Sequence, residues 1–134
     1  MPTKIFVNLP VKRLDTSVKF FGAVGFTFNQ QFTDENATCM VITADIYAML
    51  LVEPFFQTFT KRKIADTSEV VEALIALSVD SRGEVDELVD KAMAAGATPH
   101  NDPQDHGFMY SRSFTDPDGH GWEIIFMEPS HIQQ

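Results

Sequence analysis

The chain has 134 residues, of which 44% are hydrophobic and 22% are charged, a composition typical of one soluble globular domain. Its formal net charge is −9, with 19 Asp and Glu against 10 Lys and Arg. This balance argues against nucleic acid or an anionic membrane surface as a partner, because both are bound mainly through clustered basic side chains. The single cysteine, Cys39, excludes an intrachain disulfide, and neither a signal-peptide pattern nor a run of 18 apolar residues occurs. We therefore expect a cytoplasmic protein.

The first half of the chain predicts one strand, one helix and three further strands. A helix capped within residues 15–17 is predicted to run to about Val24, where Gly25 ends it. The pattern is lost over residues 53–69, which we interpret as a connection between the two halves. Its phenylalanines, Phe55, Phe56 and Phe59, have two open interpretations: they cover a cavity, or they are ordinary core or dimer contacts. The strands are predicted over residues 5–11, 26–32, 37–43 and 46–52.

The second half predicts the same order of elements. Ser81 with Glu84 three residues later is a capping-box pattern, and the amphipathic helix that follows ends at Gly96. Residues 101–107 are predicted to form a polar loop. Strands are predicted over residues 74–79, 98–100 and 108–115, and residues 116–129 as a tight turn followed by the last strand.

The turn at residue 116 leads into a strand with one carboxylate in an apolar run. Pro117 presets φ for the turn, Asp116 can bond back to the turn backbone, and Gly119 tolerates the exit conformation. Because residues alternate faces along a strand, Glu123 shares a face with Ile125. The sequence leaves two interpretations open for Glu123, a functional carboxylate or an exposed edge residue.

The two halves are internally similar. Residues 6–11 can be laid on residues 74–79, and residues 47–54 on residues 122–129, where both segments end in Glu-Pro. Each half therefore predicts β-α-β-β-β, and two such modules predict an α+β fold in which a curved mixed sheet surrounds a cup. We expect a single domain over residues 1–134, with module one at about 4–54, a connection at about 55–70 and module two at about 71–129.

These features resemble the vicinal-oxygen-chelate superfamily, which includes glyoxalase I, extradiol dioxygenases, fosfomycin resistance enzymes and bleomycin resistance proteins. The resemblance rests on the paired modules, on Val-Gly-Phe at residues 24–26 and on Asp-Pro-Asp-Gly-His-Gly-Trp-Glu at residues 116–123. It covers roughly residues 4–129 and is strongest with glyoxalase-like (lactoylglutathione-lyase-related) single-domain proteins. It implies a homodimer, and one divalent transition metal held by His and Glu on the first and last strands of each half.

Only one of the four ligand positions implied by the resemblance carries a metal-binding side chain. That residue is Glu123, and the other three positions fall on Ala48, Phe6 and Leu74. A replacement set of two histidines and one carboxylate would need His100 and His106 to join Glu123. His120 is three residues before Glu123, so it is predicted to point to the opposite face, as a turn or surface residue.

The sequence therefore favours a metal-free protein of the glyoxalase or bleomycin-resistance kind that binds a small, partly hydrophobic molecule carrying an amine or a hydroxyl. The first alternative is a metal-dependent lyase or dioxygenase using Glu123 and non-standard histidine ligands, and the second is an interaction protein with a vestigial cup. Glu123 is the candidate catalytic residue. The residues of the predicted binding pocket are Phe6, Asn8, Ala48, Leu50, Leu74, Ala76, Ile125, Phe56, Tyr110 and Arg112.

Overall fold

A computed structural model describes residues 3–131 and shows an α+β fold with two four-stranded mixed sheets. The chain divides into two compact units between Asp66 and Thr67. Each unit has the order β-α-β-β-β, which confirms the predicted fold class and the tandem modules. None of the helices within the described residues is long and apolar enough to cross a membrane.

In the first unit, the sheet has the order β1-β4-β3-β2, with β1 parallel to β4 and the other neighbours antiparallel. Short 3-10 helices follow β2 and α2. The elements are β1 (Ile5–Val11), α1 (Leu14–Val24), β2 (Thr27–Asn29), β3 (Ala37–Val41), β4 (Ile46–Val52) and α2 (Glu53–Phe56).

Two local predictions in this unit are wrong. Helix α1 is not capped within residues 15–17 but begins at Leu14, after the extended residue Arg13, and has no side-chain cap. Asp15 instead lies in the first turn, where its carboxylate accepts from the Thr16 amide at 2.9 Å and pairs with Arg13. The strand predicted over 26–32 ends early, because the Asn29 side chain accepts from the Gln31 amide and starts a 3-10 turn.

In the second unit, the sheet has the order β5-β8-β7-β6, with β5 parallel to β8. The predicted strand over 98–100 is reduced to a bridge between Thr98 and Thr115, and the predicted loop 101–107 contains the two residues of β6. The elements are β5 (Leu74–Ser78), α3 (Arg82–Ala94), β6 (Gln104–Asp105), β7 (Met109–Thr115) and β8 (Gly121–Met127).

The predicted cap of α3 by Ser81 is confirmed, while the return bond of Glu84 goes to the residue before the cap and not to Ser81 itself. The Ser81 hydroxyl accepts from the Glu84 amide at 3.1 Å, and the Glu84 carboxylate reaches back to the Asp80 amide at 2.8 Å. Helix α3 buries Val85 and Val89. On β8 the alternate residues Trp122 and Ile124 are fully buried. This alternation leaves Glu123 on the face of the sheet opposite these buried side chains.

The turn at residue 116 is built around a buried carboxylate. Asp116 Oδ1 accepts from the amides of Asp118 and His120 at 2.9 and 3.0 Å, and its Oδ2 accepts from the Trp122 indole at 2.9 Å. The predicted bond from Asp116 back to the turn backbone is thus confirmed. Gly119 has φ +84°, a conformation that favours glycine.

Candidate ligand-binding cleft

A cleft of about 160 Å³ lies within the second unit, on the open face of its sheet. We call it the Glu123 cleft. It combines residues of β5, β7 and β8 with the segment that precedes β7, so both strands and a loop form its walls. Its lining residues are Leu74, His100, Asn101, Asp102, Gln104, Ser111, Arg112, Ser113 and Glu123.

Glu123 is the central carboxylate of this cleft. The register pairs it with Ala76 on one side and Ser113 on the other, so the three side chains share the open face. Ser113 is already engaged, since its hydroxyl accepts from the Asn101 amide at 3.0 Å and donates to the Asn101 carbonyl. The half-buried Glu123 side chain has no hydrogen bond or ion pair to any other residue in 3–131.

Two further polar side chains border the cleft. Ser111 pairs with Ile125 across β7 and β8 and therefore shares the open face, yet it is only 3% exposed. Its hydroxyl has no side-chain partner among residues 3–131. His100 is half-buried, and its Nδ1 lies 3.2 Å from the Thr115 hydroxyl. The cleft thus offers a carboxylate, on Glu123, and a hydroxyl, on Ser111, that have no side-chain partner within residues 3–131.

Tyr110 and Arg112 are not arranged to face Glu123. Arg112 borders the cleft, but its guanidinium pairs with Asp86 and Asp90 of α3 at 3.0 and 2.9 Å. The Tyr110 hydroxyl donates to Asp86 at 2.7 Å. This bond, together with Arg112, holds the pKa of the Asp86 carboxyl below its usual value. Tyr110 and Arg112 are alternate residues of β7 whose side chains point to the face of the sheet that carries α3. Glu123 points to the other face, so the alternation of the strands separates both side chains from it.

The predicted pocket residues of the first unit lie on two faces, not one. Phe6 pairs with Tyr47 and stacks on its ring at 4.9 Å, and the exposed Asn8 pairs with Met49. Ala48 and Leu50 are fully buried on the opposite face, so the prediction that they share a face with Phe6 and Asn8 is wrong.

The repeat alignment explains this error. It was anchored on Glu53-Pro54 and Glu128-Pro129, which lie beyond the ends of β4 and β8. A shift of one residue exchanges the faces of a strand. The residues of β4 that share the facing of Glu123 are therefore Tyr47 and Met49, and neither is a usual metal ligand. Phe56 is half-buried in α2 of the first unit.

The side chains present do not fit the metal implied by the resemblance. Within residues 3–131, no group of three or more His, Cys, Asp and Glu is placed to hold an ion. His100 and Glu123 do border one cleft, but His106 is absent from its lining and lies 6.4 Å from the Phe108 ring, centroid to centroid. The two-histidine, one-carboxylate set is therefore not assembled.

The sequence predicts His120 as a turn or surface residue: it does lie in the turn before β8, but it is buried, with 2% exposure. Its Nδ1 lies 2.6 Å from the carboxylate of Glu72, which is 48 positions earlier in the chain. This pair ties the segment before β5 to the turn before β8. The only local signal for it is the position of His120 between Gly119 and Gly121, and that pattern does not name a partner.

Tandem β-α-β-β-β modules with a cleft over the last strand define the class of vicinal-oxygen-chelate proteins. The chain belongs to the Glyoxalase/Bleomycin resistance protein/Dioxygenase superfamily, whose profile matches residues 5–124. A search of curated proteins finds no match.

Solved structures agree over nearly the whole chain. A hypothetical protein from S. aureus is 29% identical with a TM-score of 0.78, over 94% of this chain and 95% of that one. A superfamily enzyme from Burkholderia phytofirmans is 20% identical with a TM-score of 0.75, over 91% and 96%. The fosfomycin resistance protein FosX from Mesorhizobium loti is 14% identical with a TM-score of 0.69, over 97% and 96%. At the identities of the last two, the likeness shows the fold alone.

Proposed function

We propose that the protein binds a small, partly hydrophobic molecule in the Glu123 cleft, as a glyoxalase-like or bleomycin-resistance-like protein without a resident metal. The observation that carries the proposal is the Glu123 carboxylate, which is half-buried beside Leu74 and has no partner within residues 3–131. A partly buried carboxylate without a partner loses part of its hydration and gains no hydrogen bond in compensation. A ligand that donates a hydrogen bond to it therefore gains affinity.

A metal-dependent lyase or dioxygenase is the second candidate function. It is favoured by one observation, that His100 and Glu123 border the same cleft. It also requires a third metal-binding side chain, whereas residues 3–131 bring together no group of three or more His, Cys, Asp and Glu that could hold an ion. In the metal-free function, Glu123 instead accepts hydrogen bonds from the ligand, and it is the residue placed to act as a general base if the bound molecule reacts.

The binding function predicts a thermal shift that depends on Glu123. A ligand at a hundred times its Kd should add about 2.7 kcal/mol to the free energy of unfolding, which raises Tm by several degrees. A thermal-shift screen of a small-molecule library should yield such ligands for the parent and for Glu128→Gln, an exposed control one residue beyond β8, but not for Glu123→Gln.

Two results would contradict the proposal. If no library member stabilised the protein, the interaction protein with a vestigial cleft would be favoured. If protein purified without chelators held a stoichiometric transition metal by elemental analysis, and Glu123→Gln lost it, the metal-dependent enzyme would be favoured.

We also propose that the protein is a cytoplasmic homodimer. The proposal rests on the superfamily resemblance, and it is supported by apolar side chains on the edge strand β1, where Ile5 and Phe6 are 52% and 51% exposed. Light scattering coupled to size-exclusion chromatography should give twice the 15.0 kDa chain mass at micromolar concentration. A mass of one chain would contradict the dimer.

A further inference from the structure

We propose that the ligand of the Glu123 cleft is a small organic cation, an ammonium or amidinium group joined to an apolar part about the size of a benzene ring. This inference rests on the proposed binding function and narrows its ligand class. Three observations carry it: the unpaired acceptors in the cleft, the sign of the charge around them, and the size of the cavity.

Two side chains on the open face offer an oxygen that can accept a hydrogen bond from a ligand, the Glu123 carboxylate and the Ser111 hydroxyl. Glu123 has no partner within residues 3–131, and the same holds for the Ser111 hydroxyl, although Ser111 is 3% exposed and lies on the same face of the sheet. Asp102 adds a second carboxylate at the exposed loop wall, also without a side-chain partner in that range. An ammonium group has three N–H donors and no acceptor, so it can bond the Glu123 carboxylate and the Ser111 hydroxyl together.

The charged side chains that line the cleft include more carboxylates than cations. Arg112 is the one cation in its lining, and its guanidinium is already shared between Asp86 and Asp90. Asp102 and Glu123 are therefore two carboxylates in the lining to which this guanidinium is not paired, in a protein of net charge −9. A negative field of this kind attracts cations and repels carboxylate or phosphate ligands. Hydrogen bonds from a cation to a carboxylate are also about twice as strong as those between neutral groups.

The size of the cavity limits the apolar part of the ligand. A cleft of about 160 Å³ is close to the roughly 150 Å³ that accommodates benzene in an engineered protein cavity. Leu74, which is 53% exposed and borders the cleft, supplies an apolar surface for such a ring. These dimensions favour an arylmethyl or short alkyl amine over a large polycation.

Three probes of similar size and different charge test the inference. Benzylammonium, benzyl alcohol and benzoate are titrated into ¹⁵N-labelled protein, and the amide shifts of residues 111, 113 and 123 are followed by NMR. Benzylammonium should bind at least about tenfold more tightly than benzyl alcohol, because a hydrogen bond between charged groups replaces one to a neutral donor. Benzoate should cause no shift at these residues. In Glu123→Gln the preference for the cation should disappear, whereas Glu128→Gln should keep it.

The outcomes separate the ligand class from the binding function. Equal or tighter binding of benzyl alcohol or benzoate, with shifts confined to the cleft, would overturn the cation and leave the binding function standing. Cation-induced shifts spread over the acidic surface and unchanged in Glu123→Gln would overturn the cation site. Absence of any shift with all three probes would count against both proposals. Ser111→Ala should weaken benzylammonium severalfold and supplies a second variant should Glu123→Gln fold poorly.

Discussion

Replacing Asp116 with alanine is expected to lower the free energy of unfolding by about 4 kcal/mol, because the change strands three donors at once. The amides of Asp118 and His120 lose the acceptor Oδ1, and the Trp122 indole loses Oδ2. Asp116 is 6% exposed and Trp122 is fully buried, so water does not freely replace these bonds. Urea unfolding followed by the fluorescence of Trp122, the one tryptophan of the chain, measures the loss.

Asp116→Asn separates the hydrogen bonds from the charge. The asparagine carbonyl can still accept from the two amides, but its NH₂ then faces the Trp122 N–H, so we expect a cost of about 2 kcal/mol. Trp122→Phe removes that N–H. In the Trp122→Phe background, Asp116→Asn should therefore cost less than it does in the parent, with urea unfolding of all four proteins followed by circular dichroism because this background lacks the fluorophore. An equal cost in both backgrounds would contradict the donor-to-donor conflict.

The difference in the free energy of unfolding between the parent protein and Asp116→Asn should change with pH in a defined direction. Burial raises the pKa of the Asp116 carboxyl above its usual value, against the opposing effects of His120 and the donors around it. The folded state then holds this proton more tightly, so the contribution of Asp116 to stability is greatest below the unfolded-state pKa of about 3.9 and is lost as pH rises through the folded-state pKa. The deficit of Asp116→Asn should accordingly be larger at about pH 4 than at about pH 7. A deficit that grew with pH would show that burial does not dominate.

The elements of this fold are well encoded locally, which is why most of them could be predicted. The alternation along residues 121–127, the Ser81 and Glu84 capping box and the stop at Gly25 each depend on neighbours within a few positions. The predictions that failed concern features that no local residue pattern marks. Helix α1 begins without a side-chain cap, so no residue type marks its start.

The site was predictable in part for the same reason. Alternation alone places Glu123, Ile125 and Leu74 on an open face, and the structure gathers Glu123 and Leu74 in one cleft. The facing of Ala48 could not be fixed by similarity of sequence, because the matching Glu-Pro pairs lie outside the strands and one residue of offset reverses the face. The pairing of His120 with Glu72 spans 48 positions, and only the tertiary fold brings them together.

The ion pairs between Arg112 and α3 are a second example of contacts that the sequence alone does not predict. The sequence predicts Arg112 as a pocket residue, and a guanidinium that reached Glu123 would give this carboxylate a counter-ion. In the structure the Arg112 guanidinium instead forms ion pairs with Asp86 and Asp90, two carboxylates one helical turn apart on α3. Several acidic residues could pair with this arginine, and its partners are the ones that α3 places next to β7. The spacing of these residues along the sequence does not show which ones those are.

Gly119→Ala is expected to destabilise the second unit by about 3 kcal/mol, the combined effect of backbone strain and a steric clash. Gly119 has φ +84°, and a methyl group there would overlap the hydroxyl oxygen of Thr67 and stand 2.7 Å from its Cβ. Thr67 cannot yield freely, because its hydroxyl donates to the Asp118 carbonyl inside the same turn. The added methyl group must therefore displace the segment that precedes β5 or distort the turn that leads into Glu123.

Gly107→Ala is the matched control for this prediction. Gly107 has a similar φ of +79°, but nothing lies within 4 Å of the position that a Cβ would take, so it should show the backbone cost alone, about 1 kcal/mol. Thr67→Ala removes the nearer of the two clashing atoms and should recover part of the loss in Gly119→Ala. Equal urea midpoints for the two glycine variants would mean that the close approach of Thr67 to Gly119 contributes nothing. A larger loss for Gly119→Ala, partly rescued by Thr67→Ala, would show that this glycine is required by the packing of two segments more than by the turn itself.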